Sequence, residues 1–128
     1  MKKLTLLMIF IFMLFGAEQV HESSKIKPVV HVWNTDDSKA YANDVINAWA
    51  ENQYACLDKL WTKESNWRPE AYNSVKVMGK NAGGIPQLLG MSPKVLPTFQ
   101  IERGFKYIMH RYGTPCQAWK FHKKNGWY

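Results

Sequence analysis

The chain has 128 residues, 46% of them apolar and 21% charged, with a formal net charge of +7. That length suits one domain, and the apolar content is enough for a core. Composition and pattern exclude collagen, coiled coil, global disorder and a multi-span membrane protein, and the size does not suit a large cofactor enzyme.

The N-terminus reads as an export signal. Met1-Lys2-Lys3 is a basic start, Leu4 to Phe15 is an apolar run broken only by Thr5, and Gly16-Ala17 precedes polar Glu18-Gln19. The run is about 12 residues, shorter than the ~20 that span a bilayer. Residues 1–17 are therefore expected to be a signal peptide cleaved after Ala17, although Phe15 is bulkier than such a site prefers. An uncleaved membrane anchor is the alternative. The exported product would reside in a periplasm, a cell wall or the extracellular medium.

Loss of residues 1–17 removes two lysines and no acid, so the formal charge falls from +7 to +5. A modestly basic surface attracts nucleic acid, anionic lipid or an acidic wall polymer alike, and charge alone does not choose. No run of basic residues resembles a nucleic-acid tail, so no nucleic-acid partner is expected. Cys56 and Cys116 are the two cysteines. In an exported chain they are expected to form one disulfide, with two buried thiols as the alternative. The histidines at 21, 31, 110 and 122 show no paired spacing with them, and no metal site is expected.

Residues 18–39 read as a lead-in, with a short strand through Val29, Val30, Val32 and Trp33. The body of the domain is assigned to 40–128. From Lys39 to Ala50, the apolar positions Tyr41, Val45, Ala48 and Trp49 follow helical spacing. Asn52 is placed to cap a second helix from Tyr54 to Ser65, which buries Leu57, Leu60 and Trp61 on one face. Residues 66–96 are rich in Gly, Pro and Asn and read as a loop lobe with a small hairpin, with Ser74 to Met78 as a candidate strand. Pro97 to Tyr112 is the clearest helix, with Ile101, Phe105, Ile108 and Tyr112 on one stripe, Pro97 at its start and Gly113 at its stop. Thr114-Pro115 opens a last short helix carrying Cys116, Ala118 and Trp119. The predicted fold class is mainly α (α+β): helices with a small Gly-rich lobe.

Glu64 stands out on this map. It follows Leu57 by seven residues and so lies about 20° from it on the helix wheel, on the buried stripe. A carboxyl there loses hydration, its pKa rises, and it becomes a general acid near neutral pH. The structural alternatives are a partner such as Arg68 or an end frayed into solvent. Trp61 and Trp67 flank it as candidate walls for sugar rings, though a Trp on a helix stripe also suits a core. Glu102 lies off its helix stripe, four residues before Lys106, as a surface ion pair would. Glu70 is the one doubtful second carboxyl, whereas an ordinary glycosidase needs two.

The stretch from Cys56 to Trp67, with Glu64-Ser65 near its end, resembles the catalytic helix of lytic transglycosylases in the lysozyme-like superfamily. Ala82-Gly83-Gly84-Ile85-Pro86-Gln87 is similar to that family's Gly-x-x-Gln segment. Gln100 to Ile108 with Arg111-Tyr112-Gly113 resembles its later helix. Pro115-Cys116-Gln117-Ala118-Trp119 and Gly126-Trp127-Tyr128 resemble the ending of small phage and bacterial members. The resemblance implies a lysozyme-like fold and cleavage of peptidoglycan between N-acetylmuramic acid and N-acetylglucosamine.

In that reading Glu64 is the sole acid/base. It protonates the glycosidic oxygen, then takes a proton from the muramyl 6-hydroxyl, and a 1,6-anhydro sugar forms without water. The resemblance places Ser65, Gln87, Gly84, Trp67, Tyr107 and Trp119 at the substrate: Ser65 to orient Glu64 or bond the sugar, Gln87 to bind an N-acetyl group, and Gly83 and Gly84 to admit the glycan to the backbone. Each also has a plain structural reading as helix-end hydroxyl, loop amide, turn or core ring. Larger members carry Ala-Tyr-Asn-x-Gly in the last helix, whereas this chain has Ala118-Trp119-Lys120, which offers no hydroxyl. The expected partner is the glycan strand of peptidoglycan, the expected state a monomer, and no cofactor is implied. The competing readings are a hydrolysing muramidase of the same fold, with Glu70 or a positioned water assisting, and a non-enzymatic wall-binding or assembly protein.

Overall fold

The computed structural model describes Pro28 and residues 30–128. The predicted signal peptide and its boundary at Ala17 lie outside the described residues. The chain divides into two units, residues 1–32 and residues 33–128. In the first, Val30 and Val32 are exposed and in coil, so the strand expected there does not form; Val29 lies outside the described residues. A lone strand has no edge to pair with and no face to bury.

The second unit contains four helices and one two-stranded sheet: α1 Thr35–Asn47, α2 Tyr54–Ser65, β1 Ala82–Gly83, β2 Leu88–Leu89, α3 Pro97–Tyr112 and α4 Pro115–Asn125. Helix α1 begins four residues before the apolar spacing places it, because polar residues start it. The Asn34 side chain accepts from the Asp37 backbone N–H, and the Asp37 carboxylate accepts from the Asn34 N–H. This reciprocal cap satisfies two otherwise orphaned donors. The buried stripe of α1 is Ser38, Ala42 and Ile46. Tyr41 and Val45 are half-buried beside it, while Ala48 and Trp49 fall beyond the helix end. Trp49 still packs its ring edge-on against Phe105.

Helix α2 has the predicted bounds, but Gln53 rather than Asn52 precedes it, with no side-chain cap. Asn52 is held in a left-handed turn at φ 62°. The Gln53 amide oxygen instead accepts from the Cys116 N–H at 3.0 Å, joining the starts of α2 and α4. Helices α3 and α4 follow the reading closely: Pro97 and Pro115 take the first turns, and the Thr114 hydroxyl caps α4 by accepting from Gln117 N–H.

The hairpin sits later than expected. Ser74 to Met78 pairs only through one bridge, Val77 with Lys80, and the sheet forms between Ala82–Gly83 and Leu88–Leu89, antiparallel. The exposed side chains of Val75, Val77 and Met78 explain the shift, since they have no layer to cover them.

The core is continuous across the helices: Ala42 and Ile46 from α1, Leu57, Leu60 and Trp61 from α2, Ile101, Phe105 and Ile108 from α3, and Ala118 from α4, joined by Trp67 and Ile85 of the lobe. Gly104 lets α3 approach α2 and the lobe closely. A Cβ there would lie 2.7 Å from the Trp61 ring and 2.6 Å from Pro86.

Cys56 and Cys116 form a disulfide. It joins the first turn of α2 to the first turn of α4, and α2 packs mainly on α4. The two helices run in the same direction from this staple, which brings their far ends together.

Candidate active site

Glu64 occupies the last turn of α2, where the chain turns through left-handed Asn66 and Trp67 into the lobe. The wheel position is reflected in its surroundings. Its side chain is 17% exposed, and burial alone pushes its pKa from the ordinary 4.5 up to about 7. Arg68 does not pair with it. That guanidinium donates instead to the Ser65 carbonyl at 3.1 Å.

The partner of Glu64 is His122, on α4. His122 Nε2 lies 3.0 Å from Glu64 Oε1, and the imidazole is also mostly buried. Burial first, and the nearby Lys63 charge second, hold the His122 pKa below its usual value. The pair is thus formed by a carboxyl that resists ionisation and an imidazole that resists protonation. Just below pH 7 the carboxyl is mainly protonated and the imidazole mainly neutral, so the contact there is a hydrogen bond rather than an ion pair.

Three tyrosines cluster on the same side. Tyr107 packs edge-on against Tyr112 and Tyr128, and Tyr112 and Tyr128 lie tilted on one another, with centroids 5.7–6.3 Å apart. Tyr128 accepts from Trp61 Nε1 at 3.0 Å and donates to the Pro86 carbonyl at 2.7 Å, which ties it to α2 and the lobe. Burial first, and the charge of Glu64 second, raise the Tyr128 pKa well above normal. The Tyr112 hydroxyl is buried and makes no hydrogen bond of good geometry. Burial, with the neighbouring Tyr107, pushes its pKa up to about 12 against the opposing charge of Arg111, and Glu64 adds to the rise. Both hydroxyls therefore lie within electrostatic reach of Glu64.

The remaining candidates occupy other places. Trp67 is 1% exposed, packed edge-on against Trp61, and donates to Asp58 at 2.8 Å. It is a core ring and not the wall of a sugar groove. The Ser65 hydroxyl is buried and lies 2.6 Å from the Ile85 carbonyl, so it clamps the helix end to the lobe instead of orienting Glu64. Gln87 donates to the Ala71 and Gly84 carbonyls, closing its own loop. Gly83 and Gly84 admit protein rather than an open groove: a Cβ on Gly83 would meet the Met91 carbonyl at 2.1 Å, and one on Gly84 the Gln100 amide at 2.4 Å. Tyr107 accepts from Arg111 at 2.7 Å and stands in the tyrosine cluster. Trp119 stacks on the His122 ring, 5.6 Å between centroids and 18° between planes, so it touches the site through His122.

Among the acids, Asp58 pairs with Trp67 and with Lys39 at 3.3 Å, Glu102 accepts from Tyr41, and Glu70 is exposed on the loop. No group of His, Cys, Asp and Glu suited to a metal exists among the described residues.

Three residues of the site have signals in the sequence that apolar periodicity hides. His122 lies one turn after buried Ala118 on α4, so it shares the face that meets α2. Tyr112 completes the α3 stripe as if it were simply apolar. Gln100 is fully buried, and its side chain accepts from Ile85 N–H at 2.8 Å and donates to the Pro69 and Val95 carbonyls at 3.1 and 3.0 Å. It is the hub that holds the lobe against α3.

Two shallow surface grooves flank α4. One, of about 320 Å³, lies between Asp58, Lys59, Thr62, Lys63 and Trp119. The other, of about 470 Å³, lies along Arg111, Tyr112, Phe121 and Lys124. Neither is lined by Glu64. Comparison with known proteins adds no relative, since no family model, no curated protein and no solved structure matches the chain.

Proposed function

We propose that this chain is a peptidoglycan lytic transglycosylase with a lysozyme-like arrangement of helices and hairpin lobe, in which Glu64 is the single acid/base. The observation that carries the reading is the Glu64 carboxyl, at a helix end beside the lobe, with its pKa at about 7. A carboxyl protonated near neutral pH donates its proton to the glycosidic oxygen as the bond breaks. The carboxylate it leaves takes the proton of the muramyl 6-hydroxyl as that oxygen closes on the anomeric carbon. The balance needs one carboxyl and no water.

The cause of the shift favours this chemistry over hydrolysis. A second carboxylate at the roughly 5–9.5 Å spacing of a hydrolysing pair would add its charge to the rise. Burial is the cause that raises the Glu64 pKa, with no second carboxylate adding to it, and Glu70, the candidate second acid, faces solvent on the loop. The buried Tyr112 hydroxyl supports the reading as well, since it is a neutral group within electrostatic reach of the acid on a chain whose last helix carries Trp119 instead of a tyrosine.

The test is mass spectrometry of the fragments released from purified peptidoglycan by the disulfide-bonded protein, with Glu64→Gln alongside. Anhydro fragments, one water lighter than reducing ones, that vanish with E64Q are the expected result. Reducing fragments would replace the reading with a muramidase. Binding to the wall without any fragment would replace it with a wall-binding or assembly protein.

A further inference from the structure

Resting on the reading of Glu64 as the acid, we propose that His122 is a positioning residue for it: the His122 Nε2–H engages Oε1 and leaves the acidic proton on Oε2, the oxygen free to meet the scissile bond. The contact is 3.0 Å long, and the structure fixes both of its ends. On one side, α2 is anchored by Leu57, Leu60 and Trp61 in the core. On the other, the His122 ring lies flat against Trp119, and Ala118, one turn earlier, is fully buried against α2. The Cys56–Cys116 disulfide aligns the two helices at their opposite ends.

The charges around the pair set its protons. Lys63 on α2 is the cation that acts on His122, and Arg111 lies 5.5 Å over the Tyr112 ring on α3. Lys123 sits over the far partner Trp119 at 5.8 Å. Tyr112 on α3 and Tyr128 after α4 stay neutral, since both titrate far above neutral pH, and Tyr107 faces them. Just below pH 7 the pair therefore holds two protons, one on the carboxyl and one on the imidazole.

Two arrangements are open to those protons, and they have opposite consequences. With a bare Nε2, the carboxyl donates to His122 and its acidic proton is turned away from substrate. With Nε2–H, Oε1 is the acceptor and the proton resides on Oε2. No protein group bonds His122 Nδ1 or Glu64 Oε2 among the described residues, and neither atom is a buried unsatisfied one. The bare Nδ1 then faces water, and Oε2 is the open side of the acid. His122 thus acts through Glu64 and needs no contact with substrate.

The test has two parts. Long-range proton–nitrogen spectra of the full, disulfide-bonded chain at about pH 6.5 read the tautomer directly. A protonated Nε2 is expected; a bare Nε2 with protonated Nδ1 overturns the proposal. The second part compares His122→Gln, which keeps a donor without titrating, with His122→Phe, which removes it. His122→Phe is expected to lower kcat on soluble peptidoglycan oligomers more than about tenfold at similar KM, and to move the Glu64 carbon-13 titration up by about one pH unit. His122→Gln is expected to stay within about threefold of wild type in kcat, with its midpoint near 7. A wild-type midpoint and wild-type kcat in His122→Phe overturn the proposal. The spectra and the carboxyl titration need no turnover, so a protein that releases no fragments refutes the transglycosylase reading while the Glu64–His122 arrangement is still decided.

Discussion

Replacement of Glu64 by Gln should stabilise the protein in a pH-dependent way. The carboxyl has its pKa raised from 4.5 to about 7 by burial. Between those values the folded state holds a proton that the unfolded chain has released, so wild-type stability falls as pH rises through this window. At about 1.4 kcal/mol per unit, the full loss is about 3 kcal/mol by pH 8. Glutamine has nearly the same volume and no charge. Its stability should match wild type near pH 4, where Glu64 is protonated, and exceed it by about 3 kcal/mol near pH 8. Urea unfolding of both proteins with the disulfide intact, at several pH values between these limits, reads the difference and cancels every other titrating group. An equal offset at both ends would mean that Glu64 ionises like a solvated carboxyl. An offset of opposite sign, with wild type gaining stability as Glu64 ionises, would mean that His122 is charged and the pair is an ordinary salt bridge. Either result would remove the acid from the proposed mechanism.

Other changes test the frame of the site. Gly84→Ala forces a Cβ to 2.4 Å from the Gln100 amide at φ +73°, and is expected to cost about 2–4 kcal/mol in thermal or urea unfolding. Gln100→Leu leaves the Ile85 N–H and two lobe carbonyls without their partner. A loss of about 2–4 kcal/mol is expected, with faster amide exchange in residues 82–89 read by NMR. Ser65→Ala removes the bond to the Ile85 carbonyl and should cost about 1–2 kcal/mol while leaving the pH midpoint of activity in place, which separates a clamp from a residue that tunes Glu64. Reduction of Cys56–Cys116 opens a closure spanning 60 residues and should lower stability by about 4 kcal/mol in a redox-controlled melt.

Much of the helical frame is written in short-range signals. Pro97 and Gly113, Thr114 and Pro115, and the Leu57, Leu60, Trp61 stripe each act within one or two turns, and the helices they predict are present. Where a polar cap competes with apolar spacing, spacing alone misleads: Asn34 and Asp37 start α1 ahead of its apolar residues, and the buried stripe becomes Ser38, Ala42 and Ile46. The hairpin was similarly displaced, because β propensity in Ser74 to Met78 does not say whether anything will cover those side chains. Trp67 misleads for a related reason. Beside a candidate acid it looks like a sugar platform, but a left-handed turn at Asn66 and Trp67 folds the ring back onto Trp61.

Glu64 could be singled out because its evidence is intrahelical: an acid in register with Leu57 must lose water when that face is buried. His122 could not, because its meaning depends on how two helices dock. The alignment is nevertheless constrained by residues far from the site. Glu64 follows Cys56 by two turns, about 12 Å, and His122 follows Cys116 by nearly as much, about 9 Å. Helices stapled at one end and running the same way must bring these positions side by side, provided that each faces the other. Leu57 and Ala118, both fully buried, supply that facing within one turn of the cysteines. The disulfide and the small residue at 118 thus do for the acid what its own helix cannot: they bring His122 Nε2 to 3.0 Å from one of its carboxyl oxygens.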